Sequence, residues 1–298
     1  MPRSCPCSRK PRAARGTALA LLWLCSSAAA ETGFEAGADA AYDSNVTRAQ
    51  LRDDIRSDGY ASAHAGASWR DAAGERGALQ AGVTARAAQY LRFPRLSFVA
   101  LDASASYHHK LGVGLTAPWI AADAVVSHED YRENPRDSDR VELRVSAGRR
   151  WSETLDVSAG YAFDRRYARH DDPVVPGISG AVWDVKGNTG FVRMGYAPDE
   201  RWQVDVAYAL RRGDVVSTTH RNLAIFLASS AIAVSDAFGP GFFDYRLRGT
   251  TQTATTALSY ALGAQSSLNV GYAFAFTRAA QGLEYRSHLV NAAWLYRY

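Results

Sequence analysis

Apolar and polar residues alternate with a period of two in one segment of this chain after another. In the ranges 155–163, 202–211 and 268–277 nearly every second residue is apolar, and the residues between them are mostly polar or small. Successive side chains of a β-strand point to opposite faces, so each segment predicts a strand with one apolar and one polar face. The pattern therefore predicts an all-β protein.

The repeated alternation predicts about twelve strands, with ten or fourteen as alternatives. We expect them near residues 32–42, 58–70, 77–90, 97–108, 112–126, 139–150, 154–166, 183–196, 201–212, 245–262, 267–278 and 285–298. Pro118 lies inside the fifth of these segments, where the missing N–H predicts a bulge or an interrupted ladder.

Short and long connections alternate between the predicted strands. The short ones lie near 71–77, 109–112, 151–154, 197–201 and 263–267, and the longer polar ones near 43–58, 128–139, 167–182 and 213–243. Aromatic residues stand at the ends of the apolar faces, among them Tyr42, Trp69, Trp183, Trp202 and Tyr260. Tight turns, longer outer loops and aromatic girdles are typical of a transmembrane antiparallel up-and-down β-barrel.

The last predicted strand carries an alternating aromatic pattern of its own. Trp294, Tyr296 and Tyr298 share one face of it. This pattern resembles the C-terminal signal by which the barrel-assembly machinery recognises outer-membrane proteins. The resemblance implies that this machinery is a partner of the chain.

The first thirty residues have the composition of a secretory signal peptide. Five basic residues precede an apolar run over 17–25, and the small residues Ala28 and Ala30 follow it. The run is too short for a membrane-spanning helix, which needs about 20 apolar residues. We expect cleavage after Ala30, so that residues 1–30 are the signal peptide and residues 31–298 form a barrel in the bacterial outer membrane.

Removing this leader changes the charge of the chain. The full sequence carries 34 basic and 30 acidic residues, and the leader holds five of the basic ones and none of the acidic ones. The remaining chain is thus almost neutral, which argues against nucleic-acid binding. All three cysteines also lie in the leader. Residues 31–298 therefore have no disulfide and no thiolate chemistry.

Charged residues on the polar faces are expected to point into the barrel, because a basic side chain facing lipid costs about 2–4 kcal/mol at the membrane midplane. Acids and arginines are interleaved there, which suits either a salt-bridged filling or a hydrated pore. The bias towards arginine leaves an anion-selective lumen open. The predicted lumen-lining residues are Glu35, Asp39, His64, Arg86, Asp102, Glu142, Arg144, Asp156, Asp164, Arg166, Asp205 and Arg211.

No constellation in the sequence predicts catalysis, a metal site or a cofactor. His108 and His109 are adjacent on a predicted strand, so their side chains point to opposite faces and do not share one ion. The run 127–129 (Ser-His-Glu) is the nearest candidate for a hydrolytic set, but neighbours on a strand do not form a triad by adjacency. We therefore expect no enzyme activity. A lipid-modifying enzyme is the least favoured alternative.

The connection 213–243 is unusual because it contains a mostly apolar stretch over 223–234. Loops of this length are uncommon unless they have a function. A short helix over or inside the mouth of the barrel would gate the lumen. The alternatives are a cap against the rim, a partner-binding patch, or an extra hairpin that raises the strand number to fourteen.

The stretch from Tyr42 to Val46, Tyr-Asp-Ser-Asn-Val, resembles the opening hairpin of barrels of the surface lipoprotein assembly modifier family and of porin-like barrels associated with exopolysaccharide export. The resemblance implies an accessory role in export, with an export-system partner. Asp43, Ser44 and Asn45 also suit a turn that leaves the membrane.

The leading hypothesis is a small outer-membrane channel for polar solutes or an exported polymer. The second is an accessory barrel for surface lipoprotein or exopolysaccharide export. Outer-membrane lipid and lipopolysaccharide are the expected surroundings in either case.

Overall fold

The computed structural model describes residues 30–298, and twelve strands of this range form a closed antiparallel barrel. They are β1 (Glu31–Asp43), β2 (Asp58–Ala72), β3 (Gly77–Tyr90), β4 (Phe98–Lys110), β5 (Trp119–Tyr131), β6 (Ser138–Arg150), β7 (Leu155–Ala168), β8 (Val185–Tyr196), β9 (Trp202–His220), β11 (Phe242–Ala261), β12 (Ser266–Ala279) and β13 (Glu284–Arg297). A short strand, β10 (Ala231–Val234), pairs with β11 outside this ring.

Helix is scarce in the described range. It contains the α-helix α1 (Leu223–Ala228) and the 3-10 helices Arg52–Asp54, Pro94–Leu96, Asn134–Arg136 and Ala280–Gly282. Within residues 30–298 no helix combines the length and the apolarity needed to cross a membrane.

The barrel closes where β13 returns to β1. Asp39 lies opposite Ala293 in this antiparallel pair. At its end Phe34 and Tyr298 exchange two backbone N–H···O hydrogen bonds of 2.8 Å. Closure leaves no strand of the ring with an unpaired edge, which removes the tendency of open sheets to pair with other chains.

The predicted all-β barrel of about twelve strands is confirmed, and the alternative of an extra hairpin in the ring is wrong. The fifth strand begins and ends later than expected, at Trp119 and Tyr131. Pro118 therefore precedes β5 and causes no bulge inside it. A proline at this position costs no ladder hydrogen bond, which explains why the strand begins there. The run His128-Glu129-Asp130, expected in a loop, lies in β5.

The connections define the two ends of the barrel. We call one end the turn rim, and β1 begins and β13 ends there. Its connections are 73–76, 111–118, 151–154, 197–201 and 262–265. The other end, the loop rim, carries 44–57, 91–97, 132–137, 169–184, 221–241 and 280–283. Most of the fully buried side chains belong to the loop rim. The packed core thus lies at one end of the barrel.

Exposed apolar side chains cover the outer face between the rims. Leu101, Val145, Val192, Val270 and Val290 are each about half exposed, although they lie inside their strands and not at the strand ends. A soluble protein rarely exposes so large an apolar surface. The outer face therefore has the composition of a surface in contact with lipid.

Candidate functional site: a charged lumen under a cap

The strand register places the polar faces of the strands on one side of the wall, the inside of the ring. On β4, Val99 and Leu101 are exposed on the outer face, and Asp102 belongs to the opposite face. Arg86 on β3 shares the face of Asp102, and the two side chains form an ion pair. All twelve residues predicted to line the lumen lie on this inner face: Glu35, Asp39, His64, Arg86, Asp102, Glu142, Arg144, Asp156, Asp164, Arg166, Asp205 and Arg211.

Several of these lumen residues form ion pairs across neighbouring strands. Arg211 donates to both carboxylate oxygens of Asp164, at 3.1 and 2.8 Å. Glu142 accepts from two arginines, Arg140 at 2.5 Å and Arg144 at 2.8 Å. These ion pairs are only partly buried, since Glu142 and Asp164 each keep 22% of their side-chain surface exposed. The lumen is thus polar and partly open, neither apolar nor fully packed.

Residues 214–248 form a cap that lies across the loop rim. The cap consists of the far ends of β9 and β11 together with α1, β10 and the residues between them. β9 and β11 continue to pair with each other through this segment, up to His220 opposite Phe242. Their pairing with the other neighbouring strands of the barrel stops near the base of the cap, where β8 begins at Val185 and β12 ends at Ala279. The two strands therefore leave the barrel wall as a two-stranded ribbon.

A row of three glycines marks the level at which this ribbon leaves the wall. Gly213 on β9 lies opposite Gly249 on β11 and opposite Gly187 on β8. A Cβ added to Gly213 would lie 2.2 Å from the carbonyl oxygen of Lys186. The backbones approach too closely here for any side chain, so glycine is required.

Hydrogen bonds join the cap to the β1–β2 loop on the far side of the mouth. The N–H of Thr218 donates to the carbonyl of Thr47 at 2.8 Å, and the hydroxyl of Ser217 donates to the carbonyl of Arg48 at 2.8 Å. Thr219 and His220 both hydrogen-bond to the carboxylate of Asp54. Burial alone would raise the pKa of Asp54, but these two hydrogen bonds, together with the electrostatic attraction and the backbone N–H of His220, outweigh it and hold the pKa below the ordinary 3.8.

A buried charge cluster ties the cap to the β5–β6 loop. Arg136 forms an ion pair with Glu133 and lies 3.7 Å from Asp244 of the cap. Glu133 also accepts the N–H of Ala237 at 2.9 Å. The guanidinium of Arg136 stacks over the ring of Trp183, 4.1 Å from its centroid. Burial opposes the charged form of Arg136, but the attraction of Asp244 and Glu133 prevails and raises its pKa.

Apolar contacts complete the seal between the cap and the remaining loops. Phe238 packs against Phe93 and Leu96 of the β3–β4 loop. Ile225 of α1 packs in a cluster with Leu283 of the β12–β13 loop. The β7–β8 loop reaches β10 through a parallel bridge from 179 to 231. Within the described range, the cap thus contacts all five of the other loops at this rim and covers the mouth.

A cavity of about 340 Å³ lies directly beneath the cap. Its ceiling includes Thr218, Arg136 and Trp183, and its walls carry inward residues of strands all around the ring. These wall residues are Asp43, Tyr90, Tyr131, Arg166, Val185, Arg211, Val215 and Tyr285. The top of the lumen is therefore a chamber beneath the cap that these residues only partly enclose.

The segment from Tyr42 to Val46 has a local structural role at the loop rim. The carboxylate of Asp43 accepts the N–H of Asn45 at 2.9 Å and pairs with Arg48 at 2.7 Å. The amide of Asn45 donates to the carbonyls of Ala49 and Arg286. These bonds shape the β1–β2 loop that receives the cap, and they account for these residue types.

The candidate hydrolytic residues do not converge. Ser127 is buried on the inner face of β5, whereas His128 lies on the outer face and bonds Asp139 at 2.7 Å. Glu129 is on the inner face, 3.4 Å from Arg166. Three side chains on alternating faces of one strand form no nucleophile–base pair. No group of metal-ligating side chains is found within residues 30–298.

The cap hairpin and its contacts were only partly visible in the sequence. The apolar stretch in the connection 213–243 predicted a helix or a cap, and both are present. The charge cluster of Glu133, Arg136 and Asp244 was missed, because Asp244 lies 108 positions after Arg136 in the chain. The glycines at 187, 213 and 249 were the one sequence signal of the place where β9 and β11 leave the barrel wall. The predicted signal peptide lies outside the described residues, apart from Ala30.

Comparison with known proteins supports the fold. An outer membrane channel from Pseudomonas putida F1 is similar over 89% of this chain and 96% of that one, with 11% sequence identity and a TM-score of 0.51. The outer membrane channel DcaP of Acinetobacter baumannii is similar over 92% and 99%, with 12% identity and a TM-score of 0.45. No family model and no curated protein matches the sequence. The first likeness shows that the barrel fold is shared.

Proposed function

We propose that the protein is a gated channel of the Gram-negative outer membrane that passes small polar solutes. The observation that carries the proposal is a charge-lined, only partly packed lumen that the cap covers at the loop rim. An outer face of half-exposed apolar side chains supports the membrane location. The proposal includes export of the chain through the inner membrane, directed by residues 1–30 as a cleavable signal peptide.

Assembly of the barrel is part of the same proposal. Trp294 and Tyr296 lie on the outer face near the turn rim, and Tyr298 pairs with Phe34 at the seam. The barrel-assembly machinery would recognise this aromatic strand before the seam closes.

The size of the chamber favours small solutes over an exported polymer or a lipoprotein. Its volume of about 340 Å³ lies at the lower end of the range for small-molecule pockets, which is about 300–1,000 Å³. A polymer would need the whole cap to leave the mouth. A small solute needs only a partial displacement of the ribbon.

The test is conductance in a planar bilayer, with the intact protein compared with a cap-shortened variant. In this variant Asn-Gly replaces residues 214–248 and joins the paired residues Gly213 and Gly249 by a two-residue turn. We expect rare, small openings from the intact protein and discrete steps several-fold larger from the variant, because the lumen would then be open at both rims.

Assembly must be verified for both proteins. Circular dichroism typical of β-sheet and heat-modifiable migration on a gel would show that each barrel has formed. Silence from an assembled, cap-shortened barrel would refute the channel.

A further inference from the structure

A depression of about 370 Å³ lies in the lumen wall formed by β6, β7, β8 and β9. Small inward residues form its floor: Ala162, Thr189, Ala207 and Ala209. Its sides carry six charged residues, which are Arg140, Glu142, Arg144, Asp164, Arg193 and Arg211. The four guanidinium groups exceed the two carboxylates, so the depression has an excess of two positive charges.

The carboxylates leave some of these guanidinium groups unneutralised. Glu142 is shared by Arg140 and Arg144, and Asp164 is held by Arg211. The side chain of Arg193 is exposed and forms no ion pair or hydrogen bond with the described residues. The Nε of Arg144 is buried and also has no hydrogen-bond partner. Donor capacity for an anion is therefore present in the depression.

An aromatic ring adds an apolar contact. Phe191 lies in the lining, with the guanidinium of Arg144 5.6 Å from its ring centroid. The ring occupies space over Gly160, where an added Cβ would lie 2.5 Å from its Cζ. The ring thus lies against the backbone of Gly160 in the lumen wall. The depression offers charge to an oxyanion and an apolar surface to a carbon skeleton.

The opposite wall has the opposite charge bias. In a ring of twelve strands β1 lies across the lumen from β7, and β1 turns Glu35, Asp39 and Asp43 inwards. The pairing partner of Glu35, Arg297, lies at the turn rim. Arg48 also pairs with Asp43, so of these three acids Asp39 is the one that has no ion pair among the described residues, and it would repel a solute with negative charge.

We propose that this depression is a binding site for a small solute that carries carboxylate groups on a short carbon skeleton. The inference rests on the proposed channel function and names the substrate class of that channel. The solute enters from the turn rim, which the cap does not cover. Arg193, three residues from the turn-rim end of β8, meets it first, and Arg144 and Phe191 hold it deeper in the wall.

Calorimetric titration of the detergent-solubilised protein with succinate tests the site without any need for the cap to open. Putrescine, a dication of the same carbon number, serves as the charge control, and inorganic phosphate as the second oxyanion. We expect saturable binding of succinate, weaker binding of phosphate and no binding of putrescine.

The variants Arg193→Gln and Arg144→Gln should each weaken succinate binding by about tenfold, the usual effect of losing one charge-assisted hydrogen bond. Arg70→Gln is the matched control: it makes the same change on the inner face of β2, outside the depression. It should leave succinate binding within about twofold of the unchanged protein.

The possible results separate the site from the channel. Absence of succinate binding, or variants that bind as tightly as the unchanged protein, would overturn the site and leave the channel standing. Phosphate binding as tight as succinate binding would overturn the carboxylate assignment. Silence of the assembled, cap-shortened barrel together with arginine-dependent succinate binding would refute the channel and uphold the site.

Discussion

Gly213 and Gly249 face each other across the β9–β11 pair, at the level where both strands lose their other barrel neighbours. Gly187 extends this row onto β8, and its Cα would lie 2.5 Å from a Cβ at Gly213. The barrel wall ends and the cap begins at this row. The close approach of three backbones makes it the natural point about which the ribbon turns.

We therefore expect Gly213→Ala to disturb the base of the cap. The new methyl would lie 2.2 Å from the carbonyl oxygen of Lys186, and relief of the clash should cost about 1–3 kcal/mol. Limited proteolysis within residues 221–241 should become faster. Gly190→Ala is the control, because nothing lies within 4 Å of a Cβ there. Equal protease resistance of the two variants would contradict the assignment of a tightly packed turning point.

Arg136 is expected to be the strongest single attachment of the cap. Arg136→Met leaves Glu133 and Asp244 buried without their counter-charge, which should cost about 3–5 kcal/mol. The open probability in a bilayer should rise accordingly. Adding Asp244→Asn should recover part of the loss, because burial raises the pKa of Asp244 and the neutral amide removes the need to bury its carboxylate.

A surface ion pair at the same interface provides the control for Arg136. Arg95 and Asp236 lie 3.3 Å apart, and both side chains are more than half exposed. Arg95→Met should therefore change the open probability little, since exposed pairs contribute about 0–1 kcal/mol. An equal effect of Arg95→Met and Arg136→Met would show that burial is not what makes the Arg136 cluster strong.

Acid should release the cap from the β1–β2 loop. The docked cap holds the pKa of Asp54 below 3.8, so the docked state binds fewer protons than the undocked state. The stabilisation is then fully present above pH 3.8 and is lost as the pH falls through the lowered pKa. Open probability should rise over this acidic window.

Asp54→Asn isolates this carboxylate. The variant should open more readily at neutral pH, because the hydrogen bonds from Thr219 and His220 lose their charged acceptor. It should also lack the acid-induced rise that depends on Asp54. A rise of the same size in the variant would assign the acid response to other groups.

The orientation of the strand faces is open to a direct test. Val145→Arg places a charge on the exposed apolar face near the middle of β6, and it should destabilise the folded barrel in lipid by about 2–4 kcal/mol. Ser104→Arg places the same charge on the inner face near the middle of β4 and should cost much less. Denaturant titration in vesicles measures both. Equal losses would mean that the faces are assigned wrongly.

The alternating pattern by itself determined the barrel and the face on which each strand residue lies. The period of two fixes the direction of every side chain once the register is known, so Asp102 and Leu101 were separable without coordinates. Strand ends were less certain. The alternation continues faintly on both sides of Pro118, so the sequence predicted this residue inside the fifth strand, whereas β5 begins after it, at Trp119.

Only the tertiary structure decided how the mouth is closed. Glu133 and Ala237 are 104 positions apart, and Asp54 and His220 are 166 apart. No local pattern specifies such pairs, since they exist only after the ring has closed and brought the loops of one rim together. The ribbon then turns across the mouth at the glycine row. The sequence determined the wall of the barrel, and the closed ring determined what covers it.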